Sequence, residues 1–411
     1  MNVLVVGMEK SGQAAAAFLR SRGDIVTTTD LKPHDLPGFE MQSDELFARD
    51  WDLIVLSPGV PADLPGLQGK SVIGEVELAS PYLKGNTIGI TGSNGKTTTT
   101  SLAGHILQTA GIPVQVGGNI GTPVIAMTAA SRDDQWNILE LSSFQLETIR
   151  TFRAHVGICL NVTQNHLDRH HTFENYAAAK SNLFRTQRTG DYAILNADDE
   201  TCRSFAALTP ATTLWFSGND EPPIPRNEIP IPGRHNAENV MAAALAAKIA
   251  GVSQADIAKG IKTFHAVEHR LEFVAEIKGI RFYNDSKATS VDATIKALDS
   301  FEGNLWIILG GKDKGSDYTV LRDRLHMKAH AALLIGAAAG KIAQQLDRAT
   351  NLIEAGTLDR AVAEAWSRAK PGDTILLAPA CASFDQFQSY EHRGRVFKDL
   401  VHGIQRNGTT A

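Results

Sequence analysis

A lysine flanked by glycine and threonine, Gly95-Lys96-Thr97, closes the run Thr91-Gly92-Ser93-Asn94. This order wraps backbone N–H groups around a polyphosphate, sets an ammonium on the terminal phosphates and offers a hydroxyl to magnesium. The usual spacing has a glycine where Ile90 stands, and the nearest upstream glycine is Gly92, so the loop reads as a tightened phosphate loop. An apolar run, residues 88–90, enters it, and Leu102, Ala103, Ile106 and Leu107 follow at helical spacing before Gly111 and Pro113. The start of that helix adds roughly half a positive charge beside the phosphates. Gly92, Ser93, Asn94, Gly95, Lys96, Thr97 and Thr98 are therefore candidate nucleotide-binding residues.

Four further groups could serve such a site. Residues 136–139 read as a strand that delivers Glu140 at its carboxyl end, where open parallel sheets bind ligands. Glu140 is then either a magnesium ligand or a cap for a helix opening at Ser142 and Ser143. The strand 156–160 empties into a loop, residues 161–168, and His166 on it reads as a second metal or substrate site, with His170 and His171 as ordinary surface residues. Asn236 and Asn239 share one face near the start of an alanine-rich helix, suited to an adenine edge or to capping. Lys180 lies in the predicted helix 173–185 behind Ala177, Ala178 and Ala179 and, by itself, reads as an exposed helical lysine. An ammonium cannot bind magnesium; only its carbamate could.

The elements that must position these groups alternate strand and helix along the chain, which predicts an α/β fold in three domains: 1–83, 84–265 and 266–411. In the first, the strand 2–6, the glycine turn 7–12, a helix and a strand ending in Asp30 follow the layout of a dinucleotide-binding half. Glu9 occupies the place of the middle glycine, and its carboxylate would repel a pyrophosphate lying on the backbone. A nicotinamide or flavin site is disfavoured; a phosphorylated ligand held further out, partly by Ser11, and a domain without ligand both stay open. A polar hinge at residues 82–86 leads into the phosphate-loop domain, where the glycine-dense residues 117–123 read as a turn lining the site, and residues 221–232 read as a proline-rich loop. In the last region, strands near 280–283, 305–309, 331–335 and 374–377 each end in a polar or glycine-bearing loop, which makes that sheet edge a second functional surface.

A formal charge of −5 carries no nucleic-acid footprint. Three scattered cysteines, Cys159, Cys202 and Cys381, fit neither a disulfide framework nor a zinc spacing, and point to a reducing compartment. No apolar run reaches a bilayer-spanning length, and the opening strand leaves no room for a signal peptide, so a cytoplasmic protein is expected.

Taken together and in order, the loops resemble those of the muramoyl amino-acid ligases, the Mur ligase family, and within it the branch that uses D-glutamate. The resemblance rests on residues 91–97, 117–121, 140–147, 161–168, Lys180, 235–239, His269-Arg270, 285–289 and 378–387. It implies Rossmann-like first and last domains around a central phosphate-loop ATPase domain with a parallel sheet. It also implies ATP-dependent addition of D-glutamate to UDP-N-acetylmuramoyl-L-alanine through an acyl phosphate, in peptidoglycan precursor synthesis, by a monomer. Carried over, Lys96 and Thr97 grip phosphates and magnesium, Glu140 is a metal ligand, and His166 with a carbamylated Lys180 serves a second magnesium. Asn236, Asn239, His269 and Asp285 surround adenosine, with Arg270 on the phosphates. Thr289, Lys314, Ser383 and Tyr390 hold glutamate, Lys287 lies at the reacting centre, and Gly7, Ser11, Gly12, Asp30, Gly59 and Asn119 hold the uridine-sugar substrate. The competing readings are a ligase of the same architecture for another amino acid or for folate, and a phosphate-loop regulatory ATPase.

Overall fold

Runs of valine, isoleucine and leucine bounded by glycine, proline or acidic residues build three sheets, described here from a computed structural model covering residues 1–231, 233–265 and 268–408. The expected boundary at 265/266 and the last residue of the proline-rich loop, Pro232, touch positions outside the described residues, as does the side chain of Asp168.

The first sheet comprises β1 (Asn2–Val6), β2 (Ile25–Asp30), β3 (Phe39–Met41), β4 (Leu53–Leu56) and β5 (Val72–Gly74), all parallel, in the order β3-β2-β1-β4-β5. Val3, Leu4, Val5 and Val6 are all buried, the pattern of a strand covered on both faces. The topology reverses between β1 and β4, so the glycine turn after β1 and the Ser57-Pro58-Gly59 loop after β4 meet at the switch point where such sheets bind ligands.

The second sheet comprises β6 (Asn86–Thr91), β7 (Val114–Gly118), β8 (Trp136–Glu140), β9 (Val156–Cys159), β10 (Tyr192–Asn196) and β11 (Thr212–Phe216), parallel throughout, in the order β11-β10-β9-β6-β8-β7. Gly117 and Gly118, expected in a turn, end the edge strand β7 instead, because pairing with β8 satisfies their backbone. These two sheets belong to one compact unit, Met1–Glu228 with Ala237–Phe264. Two buried carboxylates bind them together. Glu77 accepts from the backbone N–H groups of Arg150, Thr151 and Phe152 at 2.8, 2.8 and 3.0 Å and from Thr151 Oγ1 at 2.5 Å. Burial acts to raise its pKa, but those bonds outweigh it and hold the carboxyl below its ordinary value. Glu75 accepts from Ile125 N, and burial pushes it up to about 7.

The second unit, Ile229–Asn236 with His265–Ala411, holds the third sheet. Its strands are β12 (Glu272–Ile277), β13 (Ile280–Asn284), β14 (Leu305–Gly310), β15 (Ala329–Ile335), β16 (Asn351–Gly356) and β17 (Thr374–Leu377), in the order β12-β13-β17-β14-β15-β16. β12 pairs antiparallel with β13 and the remaining pairs are parallel. β17 returns between β13 and β14, so the loops after these three strands are neighbours. The expected α/β architecture is thus observed, with one antiparallel edge strand added. No helix among the described residues is long and apolar enough to cross a membrane.

Candidate active site

The phosphate loop lies between the ends of β8 and β9. Gly92 and Gly95 take φ values of +149° and +83°, and a Cβ on Gly95 would stand 2.3 Å from Asn239 Oδ1, so Asn239 packs directly on the loop. The residues after β9 hold its backbone: Ser93 N donates to Asn161 O at 2.8 Å and Asn94 N to Asn161 Oδ1 at 2.9 Å. Ser93 Oγ donates to Thr163 O and lies 2.9 Å from Tyr176 Oη. Lys96 Nζ folds back on Gly92 O and Ser93 O at 2.8 and 3.2 Å, which keeps its charge at the mouth of the cradle. Its helix, Lys96–Thr109, starts with Thr97 and Thr98 buried beneath the loop.

Glu140 ends β8 and is 2% exposed. Its Oε1 accepts from Asn119 Nδ2 at 2.7 Å, while Oε2 has no hydrogen-bond partner. A buried carboxylate oxygen that nothing donates to is the ligand a hard divalent cation uses, so Glu140 fits magnesium. The capping alternative is overturned: Ser142 caps the short helix Ser143–Leu146, in a box with Gln145. Asn119, assigned to substrate by resemblance, orients Glu140 here.

Lys180 corrects a reading. It is 1% exposed, because the helix Phe173–Arg185 turns Tyr176, Ala179, Lys180 and Leu183 inward. Nζ donates to Gly92 O at 2.9 Å, approaches Thr91 Oγ1 at 3.5 Å, and lies 4.6 Å from the centre of the Tyr176 ring. Burial first, and the Lys96 charge second, pull its pKa down to about 7. Near neutrality a large fraction is free amine, the form that adds to carbon dioxide. The signal for this burial was spacing: Lys180 stands four residues after Tyr176 and three before Leu183, on the face that also buries Ala179, whereas Ala178 is exposed.

His166 caps the short helix Leu167–His170 in the left-handed region, φ 53°, exposed, with its ring edge-on to Phe144 at 4.9 Å. His170, expected at the surface, is buried instead: its Nε2 lies 3.0 Å from Ser143 Oγ and its Nδ1 3.1 Å from Glu147 Oε1. His171 stays exposed, 3.4 Å from Asp63. Sequence reasoning missed Arg169, which donates to Glu147 Oε2 at 2.7 Å and to Val60 O at 2.9 Å, and reaches Gly59 O at 3.4 Å. It therefore ties the Gly59 loop of the first sheet to the His166 loop of the second.

At the switch point of the first sheet, Gly7, Gly12, Asp30 and Gly59 come together around β1 and β4. A Cβ on Gly12 would stand 1.8 Å from Gly7 O, and one on Gly7 would stand 2.7 Å from Val60 Cγ2. Asp30 accepts from Met8 N at 2.6 Å and Lys32 N at 3.1 Å. Burial acts to raise its pKa, but these bonds prevail and lower it. Glu9 and Ser11 stand at the start of the helix Lys10–Ser21, Glu9 without a capping bond.

In the second unit the loops after β13, β14 and β17 carry Asp285, Lys287 and Thr289, then Lys314, then Ser383. Asp285 accepts from Leu271 N at 3.2 Å; burial raises its pKa to about 6 against the opposing Arg270 charge. His269, φ 66°, accepts at Nδ1 from Asn284 Nδ2 at 2.9 Å, which places the ring hydrogen on a buried Nε2 that has no hydrogen-bond partner and is a donor available to a ligand. Burial lowers its pKa. Lys287 Nζ stands 5.7 Å above the Tyr390 ring. Lys314 is exposed on a turn shaped by Asp313, which accepts from Lys341 Nζ at 2.8 Å, Tyr318 Oη at 2.7 Å and Ser316 N at 3.2 Å. The bonds from Lys341 and Tyr318 hold the Asp313 pKa at about 2. Asn236 is buried at the start of the helix Arg234–Ile249.

The sequence pattern of the Mur ligase middle domain matches residues 90–226, and that of the Mur ligase glutamate ligase domain matches residues 269–381. UDP-N-acetylmuramoylalanine–D-glutamate ligase of Solibacter usitatus is 62% identical, over 98% of this chain and 98% of that protein. The enzyme of the same name from Acidobacterium capsulatum is 52% identical, over 97% of this chain and 95% of its own. Among solved structures, UDP-N-acetylmuramate-alanine ligase MurC from Thermotoga maritima superposes with a TM-score of 0.59 at 16% identity, covering 98% of this chain and 99% of that one. MurF from Acinetobacter baumannii gives 0.60 at 17% identity, covering 97% and 90%. These two likenesses speak for the fold alone.

Proposed function

The chain belongs to the Mur ligase family, ATP-dependent enzymes that form amide bonds, and on that premise we propose that it joins D-glutamate to UDP-N-acetylmuramoyl-L-alanine. A carboxylate does not react with an amine at neutral pH, so the acceptor's alanyl carboxyl must first take the γ-phosphoryl of ATP and become an acyl phosphate. The glutamate nitrogen then attacks that carbonyl carbon, the amide C–N bond forms and inorganic phosphate leaves.

The observation that carries this reading is the buried amine of Lys180 against Gly92 O at the base of the phosphate loop, a group that ATP hydrolysis alone does not call for. Its Nζ bonds to the carbon of carbon dioxide, one proton goes to solvent, and the side chain gains a carboxylate-like head. Glu140 and Thr97 would hold one magnesium, and His166 with carbamylated Lys180 a second. When bound, magnesium offsets the negative charge that crowds the phosphates and the acceptor carboxyl. The phosphate-loop N–H groups and Lys96 bind the β- and γ-phosphates, with Arg270 adding a further cation. The glutamate nitrogen must also lose a proton, and His166 is the base for it only where its one imidazole lone pair is not committed to magnesium. By resemblance to the family, Asn236, Asn239, His269 and Asp285 would hold adenosine, Thr289, Lys314, Ser383 and Tyr390 would hold glutamate, and Lys287 would act at the reacting centre. Gly7, Ser11, Gly12, Asp30, Gly59 and Asn119 serve the uridine-sugar. The diphosphate of a UDP-sugar is repelled by Glu9 as a dinucleotide's would be, so it is held further out from the glycine turn, partly by Ser11. The enzyme is expected to act in the cytoplasm as a monomer.

Phosphate release from ATP, measured with a panel of amino acids and UDP-muramoyl acceptors, tests the assignment. Release should require both D-glutamate and UDP-N-acetylmuramoyl-L-alanine. Release with another amino acid or acceptor would move the chain to a different branch of the family, and slow hydrolysis without a ligation product would leave only a phosphate-loop ATPase.

A further inference from the structure

The helix Tyr390–Gly408 carries a guanidinium, that of Arg393, which is 0% exposed and has no part in the reaction as derived. A fully buried arginine is costly unless its donors are met, and it is ordinarily paired with a carboxylate. Here, among the described residues, its hydrogen bonds go to neutral oxygens only. Nε donates to Ser286 Oγ at 3.0 Å, Nη2 to Ser286 O at 2.9 Å and Cys381 O at 3.2 Å, and Nη1 to Ala382 O at 3.4 Å. Ser286 Oγ in turn donates a hydrogen bond to Tyr390 O at 2.8 Å, which closes the connection back to the helix start. A Cβ on Gly311 would stand 3.2 Å from Nη1, so the loop after β14 rests on the same group. One planar fork thus touches the loops after β13, β14 and β17. These loops carry Lys287 and Thr289, Lys314, and Ser383. A lysine could not replace it, since a single point of charge cannot serve three loops in one plane.

We propose that Arg393 is a positioning residue that sets the relative placement of residues 285–289, 311–314 and 381–383, and through them the affinity for D-glutamate. The part concerning D-glutamate rests on the function proposed above; the part concerning the loops does not. Arg393→Lys and Arg393→Gln in the full chain test both, by amide hydrogen exchange and by KM for each of the three substrates. Should the glutamine variant fail to fold, the lysine variant, which keeps charge and length, decides. Exchange should speed up at least about tenfold in the three loops while β14 and β15 keep wild-type protection, because the bonds lost are charge-assisted ones. KM for D-glutamate should rise by a similar factor, KM for ATP should rise less, through Asp285 on the first of these loops, and KM for the acceptor should stay unchanged. Wild-type exchange in the loops overturns the proposal, as does a rise across the whole sheet with all three KM values moving together. If the wild-type enzyme shows no D-glutamate-dependent turnover, the functional reading falls, and the exchange pattern alone decides whether Arg393 holds the loops.

Discussion

Replacing Lys180 by methionine should yield a more stable, inactive protein. Burial holds the amine at a pKa of about 7 in place of 10.5, a displacement of about 5 kcal/mol against the charged form at about 1.4 kcal/mol per pH unit. The folded state binds this proton less tightly than the unfolded state does. Stability therefore rises with pH between about 7 and 10.5, and the full cost is present below 7. Methionine has a similar length and no titration, but it leaves Gly92 O without this donor, a loss of about 1–3 kcal/mol. The net expectation is a gain of about 2–4 kcal/mol below neutrality that shrinks by about 1.4 kcal/mol for each pH unit above 7. Urea unfolding of both proteins between about pH 6 and pH 9, in buffer freed of carbon dioxide, measures that difference. A difference that stays constant with pH would refute the burial argument. Turnover should be lost in the methionine variant and partly restored by short carboxylic acids in Lys180→Ala. No restoration, together with no bicarbonate dependence of the wild type, would remove the carbamate.

Other positions give independent tests. Glu140→Gln keeps the shape next to Asn119 but loses the anionic ligand, and should raise the magnesium concentration needed for half-maximal turnover at least about tenfold. Gly95→Ala forces a side chain at φ +83° to within 2.3 Å of Asn239 Oδ1, and should weaken ATP binding in calorimetry while costing about 1–3 kcal/mol of stability. Glu77→Ala removes the acceptor for three backbone N–H groups, so its urea unfolding should show a loss of about 3 kcal/mol or more, with the substrate preference unaltered. His166→Ala should lower kcat about 10²- to 10⁴-fold and abolish one limb of the pH profile; an unchanged turnover at every pH would end its role as base.

The parts legible in the sequence were those encoded over short range. Gly92 and Gly95 declare their loop because only glycine takes those backbone angles cheaply, and the strand-turn-helix around them follows from local periodicity. The ends of β13, β14 and β17 were likewise readable, since each apolar run breaks into polar residues or glycine. Short strands such as β3 and β5, three residues each, have too few side chains to show a period. What only the tertiary structure decided is the environment of charged groups. Lys180 and Arg393 are of residue types that ordinarily face solvent, although each shares a helix face with buried apolar neighbours, Tyr176 and Leu183 for one, Phe397 and Val401 for the other; one is buried under the phosphate loop and the other under three loops because distant segments close over them. The same holds for Arg169, whose partners Val60 and Glu147 come from two different sheets' loops. Backbone conformation depends on a residue and its near neighbours, whereas desolvation, and with it the pKa and reactivity of an amine, depends on everything packed around it.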